Sequence, residues 1–207
     1  MHPLDKFRYC PACGSKHFEI QDEKSKKCEN CGFEYYLNPS AANVALIVND
    51  KDELLVATRK KEPAKGTLDL PGGFADIGEG VVREVKEETG LTVTEARYVF
   101  SLPNVYVYSG FEVKTLDSFF LCQVEDFSTL HASDDAAALQ WIPITDIHTE
   151  LFGLRSVRHG LYRCVESYKN PRVCQDNPIL RGLIVVRNAT FRVSLRQSFA
   201  SRTAHSE

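Results

Sequence analysis

The sequence has no long hydrophobic run: no eighteen consecutive residues are apolar, and a helix that spans a bilayer needs about 20. The first residues, MHPLDKFRYCP, lack the apolar core of a secretory signal. The formal net charge is only −3, so no overall positive field attracts nucleic acid. These absences predict a protein that spans no membrane and resides in the cytoplasm.

Seven cysteines are present, and a protein of the cytoplasm is not expected to use them as a disulfide framework. Four of them form two Cys-x-x-Cys pairs, Cys10 with Cys13 and Cys28 with Cys31. Four thiolates at this spacing suit tetrahedral zinc, and four unrelated cysteines are the alternative. We predict a structural Zn²⁺ ribbon in residues 1–37, because so few apolar residues need metal binding to fold.

The middle of the chain mixes strand and helix patterns without regular alternation. Helical spacing of apolar residues marks residues 81–89 and 154–168, and a helical pattern also starts in residues 144–151. The predicted strands are residues 43–48, 53–58, 68–71, 97–100, 105–108, 118–124 and 139–142. An α/β (α+β) sandwich with a mixed sheet fits this order best, and we assign it to residues 41–168.

The end of the chain is basic. From Asn170 onward six arginines face only Asp176 and Glu207, so the preceding body is acidic. Residues 169–207 are therefore treated as a basic C-terminal tail. It is either disordered or contributes a strand that pairs elsewhere.

Three glutamates share one face of the predicted helix 81–89. At 100° per residue Glu84, Glu87 and Glu88 fall together, while Val81 and Val85 fall on another face that can pack on a sheet. Like charges four residues apart are unfavourable in isolation. A hard divalent cation such as Mg²⁺ removes that cost, and a solvated acidic face is the plainer alternative.

The residues around these glutamates resemble a known family signature. LPGG at residues 70–73 and REVKEETGL at residues 83–91 resemble the box of the Nudix hydrolase family, G-x5-E-x7-R-E-U-x-E-E-x-G-U with U apolar. Gly73 and Glu79 match the first part. With a zinc ribbon ahead, the chain looks like the branch related to NADH pyrophosphatases. The resemblance implies a Nudix-type mixed-sheet sandwich with helices on both sides, preceded by a small zinc ribbon.

The resemblance also implies a reaction. Nudix enzymes hydrolyse the pyrophosphate bond of a nucleoside diphosphate linked to another group, with Mg²⁺ or Mn²⁺ neutralising the developing charge. By resemblance Glu84, Glu87 and Glu88 are metal ligands, together with the backbone of Gly73. Glu84 or a neighbour helps to activate water, and Arg83 orients a glutamate. Glu84, Arg83 and Glu87 are thus the expected catalytic residues.

Two further acidic residues enter by resemblance. Glu79 is expected to have an accessory role near the glycine loop. Family members often add a downstream acidic ligand, in this branch six residues before an aromatic residue that starts the last strand. Trp141 is that aromatic residue here, so Asp135 is the expected ligand and its neighbour Asp134 is the alternative.

The box is shorter than the family pattern. Between Glu79 and Arg83 there are three residues instead of seven. Four helical residues amount to about 6 Å of rise and about 400° of rotation, so the phase shifts by about 40°. The helix therefore loses one turn, but the face that carries its glutamates keeps roughly the same direction. A non-catalytic nucleotide-sensing or adaptor protein with a degenerate box is the alternative function.

The substrate motif differs as well. The related branch carries S-Q-P-W-P-F-P-x-S after the box, whereas residues 101–109 read SLPNVYVYS. A preference for NADH is therefore not indicated. Tyr106 and Tyr108 either stack on a base or pack as core residues. The expected partner is a small nucleotide-type diphosphate rather than nucleic acid, and a homodimer stays open.

Overall fold

A computed structural model describes residues 2–75 and 80–169. These residues form the helices α1 (Gly80–Thr89) and α2 (Arg155–Lys169) and ten strands. The strands are β1 Phe18–Asp22, β2 Ser25–Cys28, β3 Glu34–Tyr36, β4 Ser40–Ile47, β5 Glu53–Arg59, β6 Leu68–Asp69, β7 Gly72–Phe74, β8 Val93–Tyr108, β9 Phe111–Val124 and β10 Ala136–Pro143. Apart from Lys169, the predicted tail lies outside the described residues.

The first three strands form a small antiparallel sheet in the order β1-β2-β3. Its core is only Cys10, Phe18 and Cys28, with Phe7 and Tyr35 packed against them. The ring of Phe7 meets Phe111, at the start of β9, edge to face at 5.7 Å. This small sheet therefore rests on the β8–β9 hairpin of the larger body.

Two sheets build the larger body. One has the order β7-β4-β9-β8 and the other β10-β5-β6. Strands β4 and β9 run parallel, while the other pairs are antiparallel. The mixed sheets predicted from the sequence are confirmed.

The two helices cover opposite faces of the sheets. Along β4, Val44 and Leu46 belong to a core cluster that includes α2, whereas Ala45 and Ile47 belong to a second cluster that includes α1. This division follows from the alternation of side chains along a strand. Fully burying a large aliphatic side chain stabilises the fold by about 1.5–3 kcal/mol, so both helices are held firmly. The prediction of a sandwich with helices on both sides is confirmed.

Strand β8 differs from the prediction. The sequence predicted two strands, residues 97–100 and 105–108. The structure has one strand of 16 residues that pairs Pro103 with Leu116 of β9. Since β8 lies at the edge of its sheet, the N–H that proline lacks is not needed by a second neighbour.

The segment before α2 also differs. Residues 144–151 were predicted to start a helix, but they form two 3₁₀ turns, Ile144–Asp146 and Thr149–Leu151. Pro143 precedes the first turn. Ile147 and His148 between the turns and Phe152 after the second turn are extended, so no continuous helix forms here.

Neither of the two described helices has the length and apolar character needed to cross a bilayer. Residence in the cytoplasm stays a prediction from the sequence.

Candidate active site

The four ribbon cysteines converge. Their sulfur atoms all lie within 4.8 Å of one another. The Sγ atoms of Cys10 and Cys31 are 3.7 Å apart, and those of Cys13 and Cys28 are 3.6 Å apart. Zinc–sulfur bonds of about 2.3 Å in a tetrahedron place sulfur atoms about 3.8 Å apart, so this cluster fits Zn²⁺.

The backbone around the cysteines explains why they converge. Gly14 and Gly32, which follow the second cysteine of each pair, have φ angles of 73° and 75°. The N–H of Gly14 donates to the carbonyl of Cys10, and the N–H of Gly32 donates to the carbonyl of Cys28. These left-handed turns, which glycine adopts without strain, bring each pair of thiols to one point.

Helix α1 places its glutamates beside the glycine strand β7. Val81 and Val85 are buried in the second core cluster, which fixes the rotation of the helix. On another side the N–H of Gly72 donates to Oε2 of Glu88 at 3.0 Å. A Cβ at Gly73 would lie 2.7 Å from Oε2 of Glu84. The two glycines therefore let the backbone approach two carboxylates closely.

The shortened helix starts against β4. Gly80 is its first residue and is buried. A Cβ there would lie 2.2 Å from Nδ2 of Asn43, so any side chain at this position would displace the amide of Asn43. The loss of a helical turn thus leaves α1 seated against the sheet from its first residue. The accessory residue Glu79 lies outside the described residues.

Arg83 joins two of the glutamates. Its Nη2 donates to Oε1 of Glu84 at 2.6 Å, and its Nη1 donates to Oε2 of Glu87 at 2.6 Å. The sequence predicted that Arg83 would orient one glutamate. The structure shows that it contacts two, because Glu84 is its neighbour and Glu87 lies one turn further along the helix.

Burial perturbs the two inner glutamates. The Glu88 residue is 7% exposed, and burial raises its pKa to about 8. The N–H of Gly72 opposes this rise, while the charges of Glu84, Asp69 and Asp135 add to it. Burial also raises the pKa of Glu84, and Arg83 opposes that shift. The wall of the site thus holds two carboxyls that burial disfavours in the ionised form, and Arg83 partly compensates the charge of one of them, Glu84.

A cleft of about 500 Å³ runs past these residues. On the side of the β5–β6 loop its lining includes Arg59, Lys60 and Lys61. Nζ of Lys61 lies 2.5 Å from Oδ1 of Asp135, and Nζ of Lys60 donates to the carbonyl of Asp134 at 2.9 Å. The cleft therefore has an acidic wall and a row of basic side chains.

Most of the predicted residues line this one cleft. They are Gly73, Arg83, Glu84, Glu87, Glu88 and Asp135. The carboxylates of these residues lie further from one another than the thiols of the four ribbon cysteines do. Within residues 2–75 and 80–169, the four thiols are the one group of three or more potential ligands that meets within 4.8 Å. The metal-ligand assignment of the glutamates stays a prediction.

The sequence analysis missed the polar floor of the cleft. Asn104, Thr115 and Asp117 line it and are buried. Oγ1 of Thr115 donates to Oδ1 of Asp117 at 2.5 Å, and Oγ of Ser156 donates to Oδ2 of the same residue. The alternation of Thr115, Asp117 and Phe119 along β9 was a usable signal. It places two polar side chains on the same face of the strand as the aromatic core residue Phe119.

The two tyrosines of β8 also line the cleft. Tyr106 is half-buried and Tyr108 is 54% exposed. Burial raises the pKa of Tyr106. Of the two roles left open by the sequence, this position favours contact with a ligand over packing in the core.

The fold and this site together define a Nudix-type protein: a mixed-sheet sandwich with an acidic helix set against a glycine strand. A family model described as NUDIX domain matches residues 37–163, and one described as NADH pyrophosphatase zinc ribbon domain matches residues 5–36. The chain belongs to the Nudix family, since the first match covers more than half of it.

Curated relatives are similar over part of their length. The chain is 34% identical over 110 residues to a protein of Haemophilus influenzae (strain PittGG) named NAD-capped RNA hydrolase NudC. It is 29% identical over 106 residues to a protein of that name from Vibrio vulnificus (strain CMCP6). Each match covers 49% of this chain and 40% of the relative. The chain thus spans well under half the length of these relatives.

Solved structures share the fold. A NUDIX hydrolase from Nitrosomonas europaea matches with a TM-score of 0.61 and 21% identity, covering 77% of this chain and 91% of that one. A MutT NUDIX hydrolase from Burkholderia pseudomallei matches with a TM-score of 0.51 and 23% identity, covering 61% and 98%. At these identities the likeness concerns the fold alone.

Proposed function

We propose that this chain hydrolyses the pyrophosphate bond of a nucleoside diphosphate linked to a second group, with the help of Mg²⁺ or Mn²⁺. The observation that carries the proposal is the pair of inner carboxylates, Glu84 and Glu88. They lie against the backbone of Gly72 and Gly73 at the wall of a cleft of about 500 Å³. That volume is in the range of small-molecule sites.

The donor set fits a hard divalent cation. Mg²⁺ and Mn²⁺ prefer carboxylate and carbonyl oxygens. Burial disfavours the ionised forms of both glutamates, and although Glu84 is paired with Arg83, a bound cation would add the positive charge that favours the ionised form of Glu88. The proposed ligands are Glu84, Glu87, Glu88, Asp135 and the backbone of Gly73. When bound, the cation supplies charge neutralisation on the phosphates and a more acidic water.

The protein side chains divide the remaining work. Glu84 is the proposed base that takes a proton from the attacking water. Burial raises its pKa, and its side chain is only 13% exposed. Arg83 holds Glu84 and Glu87 in fixed orientations through its two donors. Gly73 leaves the space that the Glu84 carboxylate needs.

The opposite side of the cleft suits phosphates. Arg59, Lys60 and Lys61 bring three positive charges to it. Lys61 and Asp135 are both largely exposed where they pair, so a bound phosphate can compete for the lysine at little cost. A diphosphate in the cleft would contact these basic side chains on one side. On the other side, the metal ion bound by the glutamates would hold it.

The family match supports hydrolysis over the non-catalytic alternative. The relatives from Haemophilus influenzae and Vibrio vulnificus are named NAD-capped RNA hydrolases. We therefore include dinucleotides and capped RNA among the candidate substrates, beside smaller nucleoside diphosphate derivatives.

The test is a panel of NADH, NAD-capped RNA, ADP-ribose, nucleoside triphosphates and dinucleoside polyphosphates with Mg²⁺ or Mn²⁺. Formation of phosphomonoester products would be followed by chromatography. Glu84→Gln and Glu88→Gln are expected to reduce turnover at least about a hundredfold. Glu95→Gln, at an exposed carboxylate on β8, serves as the matched control. Turnover that survives both glutamate substitutions would overturn the assignment, and tight nucleotide binding without turnover would favour the adaptor function.

A further inference from the structure

The floor of the cleft contains an amide without a partner. Asn104 on β8 is 3% exposed and lines the cleft. Its Nδ2 makes no hydrogen bond to the protein. Across the described residues only one other buried side-chain atom shares this property, Oγ of Ser25 in the ribbon. Buried amides are rarely left in this state, because an unmade hydrogen bond destabilises the fold.

The neighbouring polar groups are already engaged. Opposite Asn104 in the strand register, Thr115 donates to Asp117, and Ser156 donates to the other oxygen of that carboxylate. Deeper in the same cleft Arg59 pairs with Asp69. The structure thus satisfies the ionised groups of this floor and leaves one neutral donor.

We propose that Asn104 determines specificity by donating a hydrogen bond from Nδ2 to an uncharged oxygen on the group linked to the diphosphate. This inference rests on the proposed function, since it names the substrate class of the same cleft. The partner must be an acceptor, because an amide N–H only donates. Nδ2 is buried in the structure. The amide must therefore rotate about its side-chain bonds to donate to a ligand in the cleft.

The charge of Asp117 disfavours an anionic group. Asp117 and Asn104 line the same cleft, and the Asp117 carboxylate accepts from the hydroxyls of Thr115 and Ser156, whereas Asp69 is paired with Arg59. Because like charges at close range repel, a further phosphate or a carboxylate is disfavoured beside Asp117. A pentose hydroxyl and a carboxamide carbonyl are two neutral acceptors that the group linked to the diphosphate can offer.

The experiment compares substrates that differ in the group linked to the ADP diphosphate. In ADP-ribose that group carries pentose hydroxyls, in NADH it adds a carboxamide, and in the methyl ester of ADP it carries neither. The values of kcat/KM for these three with Mg²⁺ give two discrimination ratios against the methyl ester. In Asn104→Leu we expect at least one ratio to fall about tenfold or more.

Controls separate this effect from a loss of structure. Val107→Leu changes an exposed residue further along β8 that is not part of the cleft lining, and it is expected to keep both ratios. If Asn104→Leu fails to fold, Asn104→Ser takes its place. A fall for ADP-ribose identifies the hydroxyl, and a fall for NADH alone identifies the carboxamide.

Two outcomes would overturn the inference or its basis. Ratios that stay within twofold in the Asn104 variants would show that a buried water satisfies the amide, and Asn104 would have no role in specificity. If no diphosphate, including the methyl ester, is cleaved by the native chain, the proposed function fails. The affinity for ADP-ribose, measured by calorimetry, then decides alone: about tenfold weaker binding in Asn104→Leu supports the contact, and equal binding overturns it.

Discussion

The carboxylate of Glu84 occupies the space where a side chain at Gly73 would lie. An ideal Cβ on Gly73 would be 2.7 Å from Oε2 and 2.9 Å from Oε1 of Glu84. Real carbon atoms do not approach oxygen this closely, so the two residues are mutually constrained. The position of the glutamate in the cleft depends on the absence of a single methyl group at Gly73, eleven residues earlier in the chain.

Gly73→Ala is therefore expected to displace Glu84 and reduce kcat/KM at least about tenfold, because misplacing a reacting group by about 1 Å has effects of that order or larger. The measurement is steady-state kinetics on whichever substrate the panel identifies. The double variant Gly73→Ala with Glu84→Asp removes the overlap, since aspartate is one methylene shorter. If Gly73→Ala retains native kcat/KM, the close approach has no role in catalysis.

Arg83 is the second positioning group. Replacing it by lysine keeps the charge but leaves one ammonium in place of a planar group that donates to Glu84 and Glu87 at once. We expect kcat to fall about tenfold with a smaller change in KM. Arg158→Lys, on the exposed side of α2, is the matched control. Equal kcat in the two variants would argue against the orienting role.

Glu88 makes the stability of the metal-free site depend on pH. Burial raises its pKa in the folded state to about 8, whereas in the unfolded chain it ionises near the ordinary glutamate pKa of 4.5. The folded state therefore retains a proton that the unfolded state releases. Its contribution to stability is complete below pH 4.5, falls as the pH rises and is lost above about pH 8.

Glu88→Gln should remove this dependence, because glutamine resembles the protonated acid. In buffers without added Mg²⁺ or Mn²⁺, we expect the variant and the native chain to have similar Tm at pH 5 and the variant to be more stable at pH 8.5. Thermal unfolding followed by circular dichroism measures both. Parallel Tm curves across this range would contradict the raised pKa. Added Mg²⁺ should narrow the difference, since the cation compensates the ionised carboxylate.

The sequence predicted the convergence of the four cysteines and the shared face of the glutamates well and the cleft incompletely, and metal binding by the glutamates stays a prediction. The spacing of four cysteines and the phase of Glu84 and Glu88 on a helix are local properties, so short stretches of sequence suffice to reveal them. The brief glycine stretch also sufficed to place Gly73 near the helix. The family resemblance supplied Asp135, which no local pattern indicates.

The rest depends on long-range pairing. Asn104 and Thr115 face each other only because β8 and β9 pair over their whole length, whereas the sequence predicted two separate strands, residues 97–100 and 105–108. Pro103 is tolerated within β8 because β8 is an edge strand, which is a fact about the assembled sheet. The seating of Gly80 against Asn43 likewise becomes visible only when α1 and β4 are placed together.

The zinc ribbon gives the last prediction. Purified protein should carry about one zinc per chain, and Cys28→Ser should reduce this severalfold, since structural zinc needs all four ligands. Cys122→Ala, a buried cysteine in the core next to α1, is the matched control and should retain zinc. Mass spectrometry of metal content measures both. Because Gly72 and Gly73 lie directly against the carboxylates of Glu88 and Glu84, whereas Cys28 belongs to the separate core of the ribbon, Cys28→Ser should lose less turnover than Glu84→Gln. Equal losses would show that the ribbon contributes directly to the cleft.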